Sequence, residues 1–147
     1  DSSAASDVYK RQRVVWVRRD LVATCLSCYA LPLSPVHLPY STDLDDLGHY
    51  ARHHTRLMTH WLETQPLPIL EVEYEALVRD PTKQIRRIIG FLDLPWNDAC
   101  LRPHESTRTV ATESYDQVRQ PIHDRACARA EQFGSRLDDL RRALAAR

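Results

Sequence analysis

The sequence predicts a helix-rich α/β fold with short parallel strands flanked by helices. Val14-Val15-Trp16-Val17 is a run of β-branched and aromatic residues that reads as a short buried strand. Ile69-Leu-Glu-Val-Glu-Tyr74 alternates, with Leu70, Val72 and Tyr74 on one side and Glu71 and Glu73 on the other, as a second strand would. Two stretches of helical apolar spacing lie between them. A strand–helix–helix–strand order implies a parallel crossover, right-handed by default.

The first strand runs straight into charge at Arg18-Arg19-Asp20, and a helix follows at once. Val22, Leu26, Tyr29 and Leu33 recur at spacings of four, three and four, which makes an apolar stripe. Asp20, Ala23, Thr24 and Ser27 fall on a different, small and polar face. A strand thus ends in an arginine, and a hydroxyl stands on the next helix. In an open α/β sheet, ligands bind beyond the carboxyl ends of the strands. An arginine placed there offers a planar fork of donors suited to a phosphate, and Ser27 adds a neutral donor. The plainer alternative pairs Arg19 with a carboxylate and leaves Ser27 as a helix contact.

A chain of 147 residues is one domain's worth and can bury a real core. Hydrophobic content of 43% and charged content of 27% are ordinary for a soluble globular protein. Twenty basic and twenty acidic residues balance, so nothing electrostatic argues for nucleic acid or a membrane surface as partner. None of the three glycines belongs to a phosphate loop. No apolar run has the length of a membrane span, and no signal peptide is visible. The four cysteines do not form a disulfide framework, so a reduced, cytoplasmic compartment is expected.

Residues 1–12, DSSAASDVYKRQ, are small and polar, then basic, without amphipathic period. They resemble translated sequencing-adapter tails, and the expectation is a non-native tail with the native sequence running from about Arg13. An ordinary polar N-terminus is the alternative. The three prolines between Leu31 and Pro39 must end the first helix. A second helix is expected from Thr42, with Thr42 and Asp45 as a capping box and Leu44, Leu47, Ala51, Met58, Trp61 and Leu62 buried. His49, His53, Arg56 and His60 line another stripe of it. His49 and His53 have a spacing a metal could use, but no carboxylate or cysteine is placed to complete a site, so a solvated face is expected.

After the second strand, Asp80 reads as an N-cap and Pro81 as the first residue of a helix with the stripe Ile85, Ile88, Ile89 and Leu92. A short turn is expected around Asp98 to Leu101. Residues 102–120 are polar and aperiodic, and read as a loop or lid ordered on ligand. The tail reads as helical from about Ile122 to Phe133 and again from Arg136 to Ala146, with Leu137, Leu140 and Leu144 as an apolar seam.

In this order the motifs resemble those of the PAPS-dependent sulfotransferases, above all the bacterial branch often fused to tetratricopeptide repeats and the tyrosylprotein sulfotransferases. Three separated stretches carry the resemblance: Val17-Arg-Arg-Asp20 with Ser27; Leu70-Glu-Val-Glu-Tyr-Glu-Ala-Leu-Val78 followed by Asp80-Pro81; and Thr112-Glu-Ser-Tyr-Asp-Gln-Val-Arg-Gln-Pro121. The match runs through nearly all of Arg13 to Leu144. It implies the C-terminal portion of a P-loop-like sulfotransferase domain over residues 13–147. Its cofactor would be 3′-phosphoadenosine 5′-phosphosulfate (PAPS), donating a sulfuryl group to an acceptor hydroxyl on a protein tyrosine, sugar or small molecule. Tetratricopeptide repeats would belong to the N-terminal part.

By the same resemblance, Arg19 and Ser27 match the pair that grips the 3′-phosphate. Tyr74 matches the tyrosine that lies against the adenine, with core packing as its alternative. Glu75 is expected to brace the loop. Ser114 matches a serine that contacts the nucleotide from the C-terminal loop, and Arg129 aligns with a basic residue near the phosphates. Arg119, in the same loop as Ser114, is equally readable as a solvated charge. Where relatives commonly show a serine and then a tryptophan, this chain has Ala126 and Ala130. Cys25 and Cys28 are spaced as Cys-x-x-Cys but lie within a helix, so neither redox nor zinc chemistry is expected of them.

The family's loop for the 5′-phosphosulfate and its general base lie upstream of the arginine motif, and neither has a counterpart here. Sulfuryl transfer needs donors around the moving group and a base on the acceptor. The chain alone is therefore expected to be inactive. Two rivals stay open: a non-catalytic helical interaction module, and another P-loop transferase such as a small-molecule kinase.

Overall fold

Strand β1 (Val14–Arg18) is paired along its whole length with β2 (Ile69–Glu73). The pairing is parallel, with Val14 opposite Ile69 and Arg18 opposite Glu73. The computed structural model describes residues 12–31, 33, 36–108, 118–123 and 129–146, and among these the two strands make up the sheet. Helices make up most of the remaining described structure, so the helix-rich α/β class with parallel strands is the fold observed. Strand β1 is not the buried strand expected, since Val14 and Val17 are 37% and 52% exposed. Residues 1–11 and Ser114 lie outside the described residues.

Helix α1 (Leu21–Ala30) is capped by the Asp20 carboxylate, which accepts from the Ala23 amide at 2.8 Å. Its buried residues are Ala23, Cys25 and Leu26, whereas Tyr29 is 48% exposed. The spacing of large side chains therefore misplaces the packed side. The small residues Ala23 and Cys25 face inward beside Leu26, into a core shared with the neighbouring helices.

A 3-10 turn (Pro39–Thr42) leads into α2 (Leu44–Thr64). The N-cap of α2 is Asp43, not Thr42. Its carboxylate accepts from the amides of Asp45 and Asp46 at 2.8 and 3.0 Å, while the Thr42 hydroxyl donates to the Pro39 carbonyl. A charged acceptor at the positive end of a helix is the stronger cap. Leu47, Gly48 and Met58 are buried on α2, but Trp61 is 40% exposed, against expectation. With residue 61 left on the flank, the buried face of α2 is narrower than its apolar spacing suggests.

Glu73 ends β2, and Tyr74 begins a short helix, α3 (Tyr74–Arg79), that the alternating pattern did not disclose. Asp80 then closes α3 and opens α4 (Pro81–Phe91), accepting from the Lys83 amide at 3.1 Å with Pro81 in the first turn. Asp93 follows α4 at φ 58°, the left-handed position of a Schellman end. There the Leu94 amide donates to Ile89 O and the Asp93 amide to Gly90 O, each at 3.1 Å.

The described part of the tail departs from the expected helices. Pro121 to His123 are not helical, and Arg129–Leu137 forms 3-10 structure broken at Gly134, whose φ is +51°. Glycine meets that value without the strain a Cβ would bring. Helix α5 (Asp138–Ala145) follows, with Leu137 and Leu140 at 2% and 0% exposure. Leu26, Leu47, Ala130, Leu137 and Leu140 meet in one core cluster. Gly48 lets α2 approach α5 closely, since a Cβ there would stand 2.6 Å from the Ala143 Cβ. Arg52 of α2 then donates to the carbonyls of Ala143 and Ala146, at 2.8 and 2.9 Å, capping the end of α5. Among the described residues no helix is long and apolar enough to cross a membrane.

Candidate functional site

A cavity of about 540 Å³ opens beyond the carboxyl end of β1. That volume lies within the range of small-molecule sites. Its walls come from the end of β1, one side of α1, the middle of α2 and the first residue of α3. Arg19, Ser27 and Tyr74 all line it, so three side chains separated by up to 55 positions meet around one space.

The two consecutive arginines diverge. Arg18 donates to the Glu71 carboxylate at 2.8 Å, across to β2. Arg19 lies over the ring of Tyr74, its guanidinium carbon 5.0 Å from the centroid. An aromatic face at this distance attracts a guanidinium and helps to orient it. The segment between strand and helix is held as well. Asp20 turns its side chain to the Ala23 amide of α1, and its own amide donates to Glu75 Oε1 at 3.0 Å. Glu75 thus braces the strand-end loop from the start of α3.

No aspartate or glutamate lines the cavity among the described residues, and its basic side chains are Arg18, Arg19 and His54. Ala130, 9% exposed, forms part of the wall, and Arg129 precedes it at the start of the 3-10 segment. Arg119 donates to the carbonyls of Ser106 and Arg108, the latter at 2.9 Å. The thiol of Cys25 is buried against the Leu47 carbonyl at 3.7 Å. Burial, then the neighbouring Cys28 and Asp20, pushes its pKa up to about 11. A thiol held protonated is a poor nucleophile and metal ligand. His49 stands 3.4 Å from Asp45 and 2.7 Å from Arg52, and no group of three potential metal ligands occurs among the described residues.

Residues 4–98 match the model of the Sulfotransferase family, well over half of the chain. The chain belongs to the sulfotransferase family. An uncharacterized protein of Aquifex aeolicus is 30% identical over 118 residues, 79% of this chain and 16% of that protein. Protein-tyrosine sulfotransferase 1 of Danio rerio is 27% identical over 129 residues, 83% of this chain and 36% of that protein. Protein-tyrosine sulfotransferase A of Caenorhabditis elegans is 42% identical over 60 residues, 37% of this chain and 16% of that protein. The chain therefore spans about a third or less of the length of these relatives.

In this sulfotransferase-family chain, sequence reasoning missed part of the wall. Trp16, Thr24, His54 and Thr55 also line the cavity. Thr24 was visible as part of the small polar face of α1. His54 and Thr55 carry no local signal, because only the crossing of α2 past α1 brings them to the cavity.

Proposed function

We propose that this chain supplies the nucleotide grip of a PAPS-dependent sulfotransferase. Arg19 and Ser27 hold the 3′-phosphate, Tyr74 lies against the adenine, and Ser114 and Arg129 add contacts from the C-terminal segment. The observation that carries this reading is that Arg19, Ser27 and Tyr74 surround one cavity at the end of β1. A dianionic phosphate suits the Arg19 guanidinium and the Ser27 hydroxyl, with no carboxylate lining the cavity among the described residues. A planar base suits the tyrosine face.

The full-length enzyme moves a sulfuryl group from PAPS to an acceptor hydroxyl. Protein tyrosine is the first acceptor to test, given the protein-tyrosine sulfotransferases among the relatives; sugars and small molecules come after it. This chain by itself binds nucleotide and does not catalyse transfer.

Titration calorimetry tests the reading. The protein binds 3′,5′-diphosphoadenosine in preference to ATP, which has no 3′-phosphate to present to Arg19 and Ser27. Arg19→Ala weakens the diphosphate by about 2 kcal/mol or more, as loss of a charge-assisted pair does. Equal affinity for ATP would favour a kinase-like transferase, and affinity unchanged by the substitution removes Arg19 from the site.

A further inference from the structure

Two hydroxyls on the cavity wall have their protons already committed. Thr24 Oγ1 donates to the Asp20 carbonyl at 2.8 Å, and Thr55 Oγ1 donates to the Ala51 carbonyl at 2.9 Å. Both threonines are half-buried and both line the cavity. A hydroxyl has one proton and two lone pairs. With the proton held by the carbonyl one helical turn back, only lone pairs remain for a ligand.

The wall therefore divides by hydrogen-bond character. Arg19 offers donors only, and a phosphate accepts only, so those two match. Neither threonine can bond a phosphate without giving up its helix carbonyl. Each instead requires an N–H or O–H from the ligand. Thr24 stands three residues before Ser27 on α1, beside the place proposed for the phosphate. Thr55 stands on a different helix, α2.

We propose that Thr55 Oγ1 accepts a hydrogen bond from the exocyclic amino group of adenine and so selects adenine over a purine carrying a carbonyl at that position. The inference rests on the nucleotide-binding reading above and adds the residue that reads the base. A carbonyl in place of the amino group would set lone pair against lone pair, leaving two half-buried acceptors unpaired. Sites built around one hydrogen bond reject analogues that cannot make it far more strongly than sites built on shape alone.

The test compares 3′,5′-diphosphoadenosine with 3′,5′-diphosphoinosine by titration calorimetry, on wild type and on Thr55→Val, Thr55→Ser and Thr24→Val. Wild type prefers the adenine nucleotide by at least about tenfold. Thr55→Val, which keeps the shape and loses the acceptor, drops the ratio below about threefold, while Thr55→Ser and Thr24→Val keep it. The ratio on each variant is independent of its folded fraction, so a loss of stability does not mimic the effect. A wild-type ratio near one, or a ratio that survives Thr55→Val, overturns the role of Thr55 and leaves the nucleotide site standing. If wild type binds neither compound, the nucleotide reading fails and the role of Thr55 fails with it.

Discussion

Leu140 of α5 and Ile88 of α4 occupy equivalent places in their helices, each at the centre of an aliphatic stripe, yet their surroundings differ. Leu140 is fully buried where α1, α2 and the 3-10 segment before α5 converge. Ile85, Ile88, Ile89 and Leu92 are only partly buried, on a helix that packs against α3, β2 and the Asp98–Leu101 turn. The contrast teaches that periodicity reports which side of a helix is apolar, whereas the number of neighbours crossing that side decides how dry it becomes. The cavity is bounded by elements from both regions, with α1 and α2 on the tightly packed side and Tyr74 on the other.

Truncating each centre is the most direct way to break that contrast. Leu140→Ala should cost about 2–5 kcal/mol, as large-to-small changes in a closed core do, and Ile88→Ala clearly less. Urea denaturation of both variants measures the difference, and equal losses would mean that the two regions are equally well packed. A smaller effect is expected at the tightest point of the first region. Gly48→Ala gains about 1 kcal/mol of helix propensity but drives a methyl group into Ala143, and overpacking typically costs about 1–3 kcal/mol. The Ala143 Cβ is rigid, so the net change is a destabilisation of about 1 kcal/mol, read as a lower urea midpoint. A midpoint above wild type would show that α2 and α5 can part without cost.

The subtlest effect is one of pH. The Cys25 thiol has its pKa raised from 9.0 to about 11 in the folded chain, chiefly by burial. Folding therefore favours the protonated form. Its contribution is complete below about pH 9 and is lost as pH rises towards 11. The urea midpoint should fall across that window, and Cys25→Ala should flatten the fall. At pH 8, alkylation mapped by mass spectrometry should reach the half-buried Cys100 before Cys25. Early modification of Cys25 would mean that the core around α1 opens readily.

Much of this architecture was readable in the sequence. Both strands, the Asp80–Pro81 helix start and the Leu137/Leu140 seam follow from alternation, capping chemistry and helical spacing. What could not be read depends on contacts made across the chain. Asp43 and Thr42 are both competent caps, and only the turn at Pro39–Thr42, which engages the Thr42 hydroxyl, decides between them. Tyr74 continues the strand alternation perfectly well, yet it starts a helix whose second residue, Glu75, reaches back to the Asp20 amide. The site divides in the same way. Arg19, Ser27 and Tyr74 lie in recognisable local motifs, whereas His54 and Thr55 reach the same cavity through a helix crossing that no spacing announces.

The hydrogen bond from the Asp20 amide to Glu75 acts as a clasp between the two jaws of the cavity. The residue next to Arg19 is tethered to the residue next to Tyr74, which favours keeping the guanidinium close to the ring. Glu75→Gln keeps a weaker clasp, and Glu75→Ala removes it. Neither change touches a group that would contact a bound nucleotide, so any loss of affinity would measure what holding the jaws in register is worth.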